Sequence, residues 1–199
     1  MDKIFLIIVL LFSAVFHEYM HGFAAYKLGD STAKDAGRLT FNPIKHLDLF
    51  GSIIVPVMLL ISGSSFLFAW AKPVPYNPFN LRDKKYGDAK VAAAGPLANL
   101  AIAIVFGLIW RLMPFVSLTF SGFIATIIYI NLILMIFNLI PIPPLDGSKI
   151  LATFLSPEKR FRYLSLERFG LLFVLLFVFL FSDLMILPVE FLFQLIAGV

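Results

Sequence analysis

Two histidines and a glutamate lie within one helical turn in an apolar stretch near the start of the chain: His17, Glu18 and His21. Residues four apart project from the same face of a helix, so both imidazoles can bind one metal ion. The glutamate between the histidines can then activate a water molecule for attack. This spacing predicts a hydrolytic zinc site. The alternative is a pair of histidines that only hydrogen-bond to neighbouring helices.

The surroundings of the two histidines favour the metal interpretation. Ser13, His17, His21 and Ala25 recur every four residues and form a small or polar stripe on an otherwise apolar helix. Such a stripe must face protein or a ligand. An ionisable group at membrane depth costs about 2.5–3.5 kcal/mol, so three of them within five residues require a compensating partner.

A zinc site needs a third protein ligand and an open position for water. The chain has no cysteine, so the ligand must be a histidine or a carboxylate. His46 lies in a polar loop, and we interpret it as an exposed side chain at the membrane interface. Asp146 is the better candidate, because the three prolines before it end a helix and can carry the carboxylate back toward the bundle. An ordinary Asp-Gly turn is the alternative.

Three asparagines lie in the apolar stretches that follow. Asn99 belongs to a four-residue repeat of small residues, which allows another helix to approach closely. Asn131 and Asn138 share one face of the next helix. An amide near a metal could hold a scissile carbonyl or the oxyanion that it becomes, whereas an amide between helices can simply join them. We interpret Asn131 as such a joining residue and leave both roles open for Asn99 and Asn138.

The composition places these residues in a membrane. Hydrophobic residues make up 60% of the 199 residues and charged residues only 14%, which is more apolar than a soluble domain needs. Stretches long enough to cross a bilayer lie at about 3–26, 88–113 and 119–140, and shorter ones at 164–182 and 184–198. We expect a tight turn at Ser182-Asp183 between the last two.

The basic residues indicate how these stretches are oriented. All of the sixteen lysines and arginines except Lys3 and Arg111 fall into three segments, 27–45, 72–90 and 149–168. The positive-inside rule places all three in the cytoplasm, and this explanation is preferred to a nucleic-acid surface despite the net charge of +4.

The stretch 49–68 then lies between two cytoplasmic segments, although it is apolar enough to cross. We predict that it enters and returns, as a short helix at 49–61 broken at 62–65 and followed by an extended piece at 66–74. A plain transmembrane helix is the alternative.

Three motifs, in this order, together resemble the signature of the site-2 protease family of intramembrane zinc metalloproteases. They are His17-Glu18-x-x-His21, Gly95-Pro96-Leu97-Ala98-Asn99 and Asn138-x-x-Pro141-x-Pro143-x-x-Asp146-Gly147. The resemblance covers about residues 10–155.

The resemblance implies that His17, His21 and Asp146 bind Zn²⁺ and that Glu18 is the general base. It also implies that Asn138 and Asn99 position the substrate or stabilise the intermediate. Membrane-embedded β-strands are implied between the first two motifs, with 37–42 and 66–74 as candidates. The donor set alone would also suit iron(II).

The sequence therefore predicts an all-α integral membrane protein of about five to six transmembrane helices with a small membrane-embedded β element. Residues 1–199 form a single domain, with a catalytic core at 10–155 and a C-terminal helical hairpin at 160–199. The predicted function is hydrolysis of peptide bonds within or next to transmembrane segments of membrane-protein substrates. The predicted location is the cell membrane, multi-pass, with the active site toward the cytoplasm. A non-catalytic zinc sensor or carrier in the bilayer is the alternative, and no nucleic-acid partner is expected.

Overall fold

A computed structural model describes residues 3–62, 71–113 and 117–198 of the chain. Within these ranges the secondary structure is helical. The α-helices are α1 (Lys3–Lys27), α2 (Thr32–Asp35), α3 (Val55–Ile61), α4 (Gly87–Leu112), α5 (Leu118–Leu139), α6 (Asp146–Ala152), α7 (Pro157–Leu164) and α8 (Gly170–Ala197). A π-helical stretch, Leu49–Ile54, leads into α3, and 3₁₀ turns are formed by Pro43–His46, Pro78–Asn80 and Ser165–Phe169.

Four helical stretches in the described ranges are long and apolar enough to cross a membrane: Ile4–Lys27, Gly87–Leu112, Leu118–Leu139 and Pro157–Phe181. The first three match the predicted stretches to within about two residues. Large apolar side chains remain exposed on them, as the 85% exposure of Phe179 illustrates, which suits contact with lipid.

The predicted count of five to six transmembrane helices is not supported. The stretches 164–182 and 184–198 were expected to form a hairpin, but α8 runs without interruption from Gly170 to Ala197. Ser182 and Asp183 therefore do not form a turn. Neither residue type breaks a helix, and the apolar residues on both sides favour its continuation even through Pro188.

The predicted β element is also not supported. The described part of the chain contains no strand, although it includes 37–42 and the end of the second candidate, 71–74. Residues 66–70 lie outside the described ranges. The backbone at 71–77 forms no regular secondary structure, and Pro73 and Pro75 cannot donate the hydrogen bonds of a β-ladder.

The segment 49–61 is helical, as predicted, and the helix ends at Ile61, directly before residues 62–65, where the break was predicted. Its thirteen residues would span about 20 Å, less than the roughly 30 Å of a bilayer core. This length suits a segment that enters and returns.

Helix α4 lies at the centre and packs against α1, α5, α6 and α8. Its small residues make these close approaches possible, as predicted from their four-residue repeat. Ala103 is fully buried, and a side chain at Gly107 would collide with Ile196 of α8. The main apolar core lies between α4, α5 and α8, around Ile128, Leu132 and Phe193.

The ends of the helices show how the chain runs. The backbone N–H of Arg82, just before α4, donates to Leu28 O, just after α1, at 2.8 Å. Gly29 makes this turn possible with a φ of 107°, a value that side chains disfavour. At the opposite end of α4, Arg111 donates to the carbonyl of Ile196 at 2.8 Å. Helices α1 and α4 are therefore antiparallel, and α4 and α8 are parallel.

Candidate metal centre

The two histidines and the aspartate meet between α1, α4 and α6. The Nε2 atoms of His17 and His21 are 2.9 Å apart, and Asp146 Oδ2 is 3.1 Å from the first and 3.2 Å from the second. All three side chains are buried. This convergence joins positions more than a hundred residues apart and is the central feature of the site.

Each imidazole is oriented through its other nitrogen. His21 Nδ1 lies 2.8 Å from the backbone carbonyl of Val91, which can only accept a hydrogen bond, so this nitrogen carries the proton. His17 Nδ1 lies 2.6 Å from Asn99 Oδ1, which also only accepts, so its N–H donates to this oxygen in the same way. Both Nε2 atoms therefore present lone pairs toward the same point.

This arrangement of donors fits a cation. Two neutral imidazoles with protonated Nδ1 atoms cannot hydrogen-bond to each other through Nε2, so they and the carboxylate need a shared positive charge. In a tetrahedral zinc site the ligand atoms are about 3.3 Å apart, which is close to the distances found here. The polar partners of the two Nδ1 atoms are those that metal-binding histidines use to fix their orientation.

Helix α4 leaves room for the imidazoles because it carries a glycine at the contact. A Cβ atom at Gly95 would lie 2.5 Å from His21 Nε2 and 2.6 Å from His17 Nε2. A side chain at this position would occupy the space on which the three ligand atoms converge.

The proline-rich loop brings Asp146 back toward the bundle. The hydroxyl of Tyr163 donates to Pro141 O at 2.6 Å, and a side chain at Gly147 would collide with the carbonyl of Leu139. The first turn of α6 therefore packs directly on the end of α5.

Asn99 and Asn131 form a buried polar network behind His17. Asn99 Nδ2 donates to Asn131 Oδ1 at 2.9 Å and to the carbonyl of Ser13 at 3.3 Å. Asn131 Nδ2 donates to Ser13 Oγ at 3.0 Å, so it joins α5 to α1, as predicted. The network holds the amide oxygen of Asn99 on the imidazole.

Glu18 and Asn138 have different surroundings. Glu18 is half-buried, and its Oε2 accepts a hydrogen bond of 2.8 Å from the backbone N–H of Val74. Asn138 is half-buried near the end of α5 and donates to Leu134 O of its own helix at 2.9 Å. The predicted roles of these two residues and of Asn99 in catalysis remain predictions.

The expectation that His46 is exposed is wrong. Its side chain is 1% exposed, and its Nε2 lies 2.8 Å from the carbonyl of Thr40. The loop is held down because Lys72 N–H donates to His46 O and Arg38 donates to Lys72 O. Among the described residues, His46 is not part of the metal-binding group.

The contacts that involve the backbone of Val91, Val74 and Gly95 were not predicted from the sequence. Backbone groups are the same at every position, so residue types carry no direct sign of them. The repeat of small residues around Gly95 was the one available signal.

Comparisons with known proteins identify relatives of this chain. Residues 113–181 match the model of peptidase family M50. The chain is 37% identical over 185 residues to a Bacillus subtilis (strain 168) protein named "Putative zinc metalloprotease YwhC", a match that covers 87% of the chain and 80% of that protein.

Two further relatives are more distant. The chain is 31% identical over 166 residues to "Putative zinc metalloprotease Rip2" of Mycolicibacterium smegmatis, covering 82% of the chain and 62% of Rip2. It is 33% identical over 141 residues to "Putative zinc metalloprotease MJ0611" of Methanocaldococcus jannaschii, covering 69% of the chain and 63% of the relative. The chain thus spans less than two thirds of these two proteins. No solved structure matches it.

Proposed function

This chain belongs to peptidase family M50, and from that premise we propose that it is a zinc metalloprotease that cleaves membrane-protein substrates within or next to their transmembrane segments. The single observation that carries the proposal is the convergence of His17, His21 and Asp146 at 2.9–3.2 Å, with both Nδ1 atoms engaged elsewhere. Four helices apolar enough to cross a membrane support a multi-pass protein that reaches its substrates in the bilayer.

The three converging side chains would hold the zinc ion. Bound there, zinc supplies a Lewis acid that polarises the peptide carbonyl and lowers the pKa of water toward 7. Glu18 takes a proton from the attacking water and later gives it to the leaving amine. The hydrogen bond from Val74 N–H orients the carboxylate of Glu18 for this transfer.

The asparagines complete the proposed site. Asn138 holds the scissile carbonyl or the oxyanion that forms from it. Asn99 acts behind His17, through the 2.6 Å contact with its imidazole, and so contributes to metal binding. A helical peptide bond is shielded by its own hydrogen bonds, so the substrate must unwind locally before it is cleaved.

The positions of the basic segments support a cytoplasmic location for the site. Segments 27–45, 72–90 and 149–168 all adjoin helix ends on the side where the metal ligands lie. Lysine and arginine accumulate on the cytoplasmic side of membrane proteins. We therefore place the site near that face.

The test uses the purified chain in lipid vesicles with a fusion protein that carries one transmembrane segment. Glu18→Gln should keep its zinc, measured by elemental analysis, and lose about 10²–10⁴-fold in cleavage rate, because the amide cannot accept the proton. Glu190→Gln, an exposed carboxylate on α8, is the matched control and should cleave as the wild type does. Wild-type turnover by Glu18→Gln would disprove the assignment of the base.

A further inference from the structure

The orientation of Glu18 depends on the position of the segment 71–77. Val74 in this segment donates its backbone N–H to Glu18 Oε2 at 2.8 Å. The side chain of Val74 is buried against α1, where a Cβ at Gly22 would lie 2.9 Å from its Cγ1. A shift of the segment would therefore move the hydrogen bond that orients the carboxylate.

Two residues later, Tyr76 fixes the same segment to the start of α4. Its hydroxyl donates to Asp88 Oδ1 in a short hydrogen bond. Its ring packs against a small core cluster of Ala25, Leu81 and Val91. Burial and the neighbouring Asp88 carboxylate raise the pKa of Tyr76 well above its ordinary value, so the hydroxyl keeps its proton and remains a donor.

Asp88 is held from its other side by α7. Arg160 Nη2 donates to Asp88 Oδ2 at 2.7 Å, and the Asp88 side chain is only 11% exposed. A buried carboxylate that loses its cationic partner is strongly destabilised and must change its protonation or its position. Arg160 thus determines whether Asp88 can remain where Tyr76 needs it.

We propose that Tyr76, Asp88 and Arg160 form a clamp that holds the segment 71–77 against α1 and thereby positions Glu18 for proton transfer. The proposal rests on the proposed function. The three residues act through Val74 and are positioning residues. Arg160 lies on α7, which follows the three sequence motifs along the chain. The clamp therefore connects a helix outside the motifs to the general base.

The test compares Tyr76→Phe and Arg160→Gln with the wild type in the vesicle cleavage assay. We expect kcat to fall about tenfold or more, because a misplaced base loses alignment, while KM and zinc content stay unchanged. Arg160→Lys should recover part of the rate, since it retains a cation. The matched controls are Tyr86→Phe and Arg162→Gln, which change exposed residues of the same types.

Amide hydrogen exchange gives a second readout that does not require cleavage. Peptides covering 71–77 should exchange faster in both variants than in the wild type, and peptides from α5 should not change. Thermal unfolding identifies a general loss of stability in either variant. If Arg160→Gln fails to fold, Tyr76→Phe still tests the clamp, because it removes only one hydroxyl.

The outcomes separate the two proposals. If the wild type cleaves and Glu18→Gln does not, but both clamp variants retain wild-type kcat and exchange, the clamp is refuted and the proposed function stands. A higher kcat in Tyr76→Phe would also refute it, because the segment would then obstruct Glu18. If the wild type does not cleave at all, the proposed function fails, and unchanged exchange in the variants would refute the clamp independently.

Discussion

At the scale of single residues, the proposed binding of metal depends on the groups that lie behind each candidate ligand. His17 and His21 present Nε2 to the same point because Asn99 and the Val91 carbonyl hold their Nδ1 atoms. A free imidazole in a membrane helix could turn to other partners, and this second contact removes that freedom.

Asn99 provides a direct test of this view. Asn99→Ala should weaken zinc affinity about 10–100-fold, measured by competition with a chelator, because His17 loses its orienting partner. Asn131→Ala removes one support of Asn99 but leaves the contact of Asn99 with His17, so it should lose less zinc affinity. Equal loss of zinc affinity in the two variants would mean that the network stabilises the bundle and has no specific effect on the metal.

Gly95 tests the space around the ligands. Gly95→Ala should weaken zinc affinity about tenfold or more, because its Cβ would lie 2.5–2.6 Å from both Nε2 atoms and displace an imidazole. Gly122→Ala on α5 is the matched control, as no atom lies within 4 Å of its added Cβ. Metal titration of the two variants measures the difference, and full zinc affinity in Gly95→Ala would contradict this close packing of Gly95 against the imidazoles.

At the scale of elements, the site depends on short connections that hold long helices in register. Asp30, three residues after the end of α1, is fully buried and accepts hydrogen bonds from Asn77 N–H and from Asn80 Nδ2, both at 2.8 Å. It therefore fastens the end of α1 to the loop that precedes α4.

Asp30→Ala should lower the free energy of unfolding by about 1–3 kcal/mol, because buried donors lose their acceptor. Asp35→Ala, which changes an exposed aspartate in α2, should have little effect on the free energy of unfolding.

Burial acts to raise the pKa of Asp30, but hydrogen bonds from Thr32, Asn77 and Asn80 outweigh it and lower this pKa. The stabilisation by Asp30 is thus complete at neutral pH and is lost as the pH falls below about 4. Thermal unfolding in detergent from pH 7 to pH 3 should show the difference between wild type and Asp30→Ala shrinking; a constant difference would contradict this.

At the scale of the whole molecule, antiparallel α1 and α4 place residues 35 and 84 at the same end of the bundle. The natural chain has no cysteine, so single cysteines can be labelled without background. Asp35→Cys and Lys84→Cys should react with a membrane-impermeant reagent from the cytoplasmic side, and Ser117→Cys, at the start of α5, from the opposite side. Labelling of 35 and 84 from opposite sides would refute the prediction that 49–68 enters and returns.

The sequence alone determined the features that depend on local spacing. The bounds of α1, α4 and α5 follow from hydropathy and the 3.6-residue period, and the pairing of His17 with His21 follows from their spacing of four. The resemblance of the sequence to a known family also predicted Asp146 as the third ligand. Only the tertiary structure decided how these parts meet, because contacts with the Val91 carbonyl and Val74 N–H involve backbone groups that every residue shares. The burial of His46 was missed because it depends on contacts with distant parts of the chain, which residue type and local period do not record. The turn predicted at Ser182-Asp183 was wrong for a local reason, since neither residue type breaks a helix.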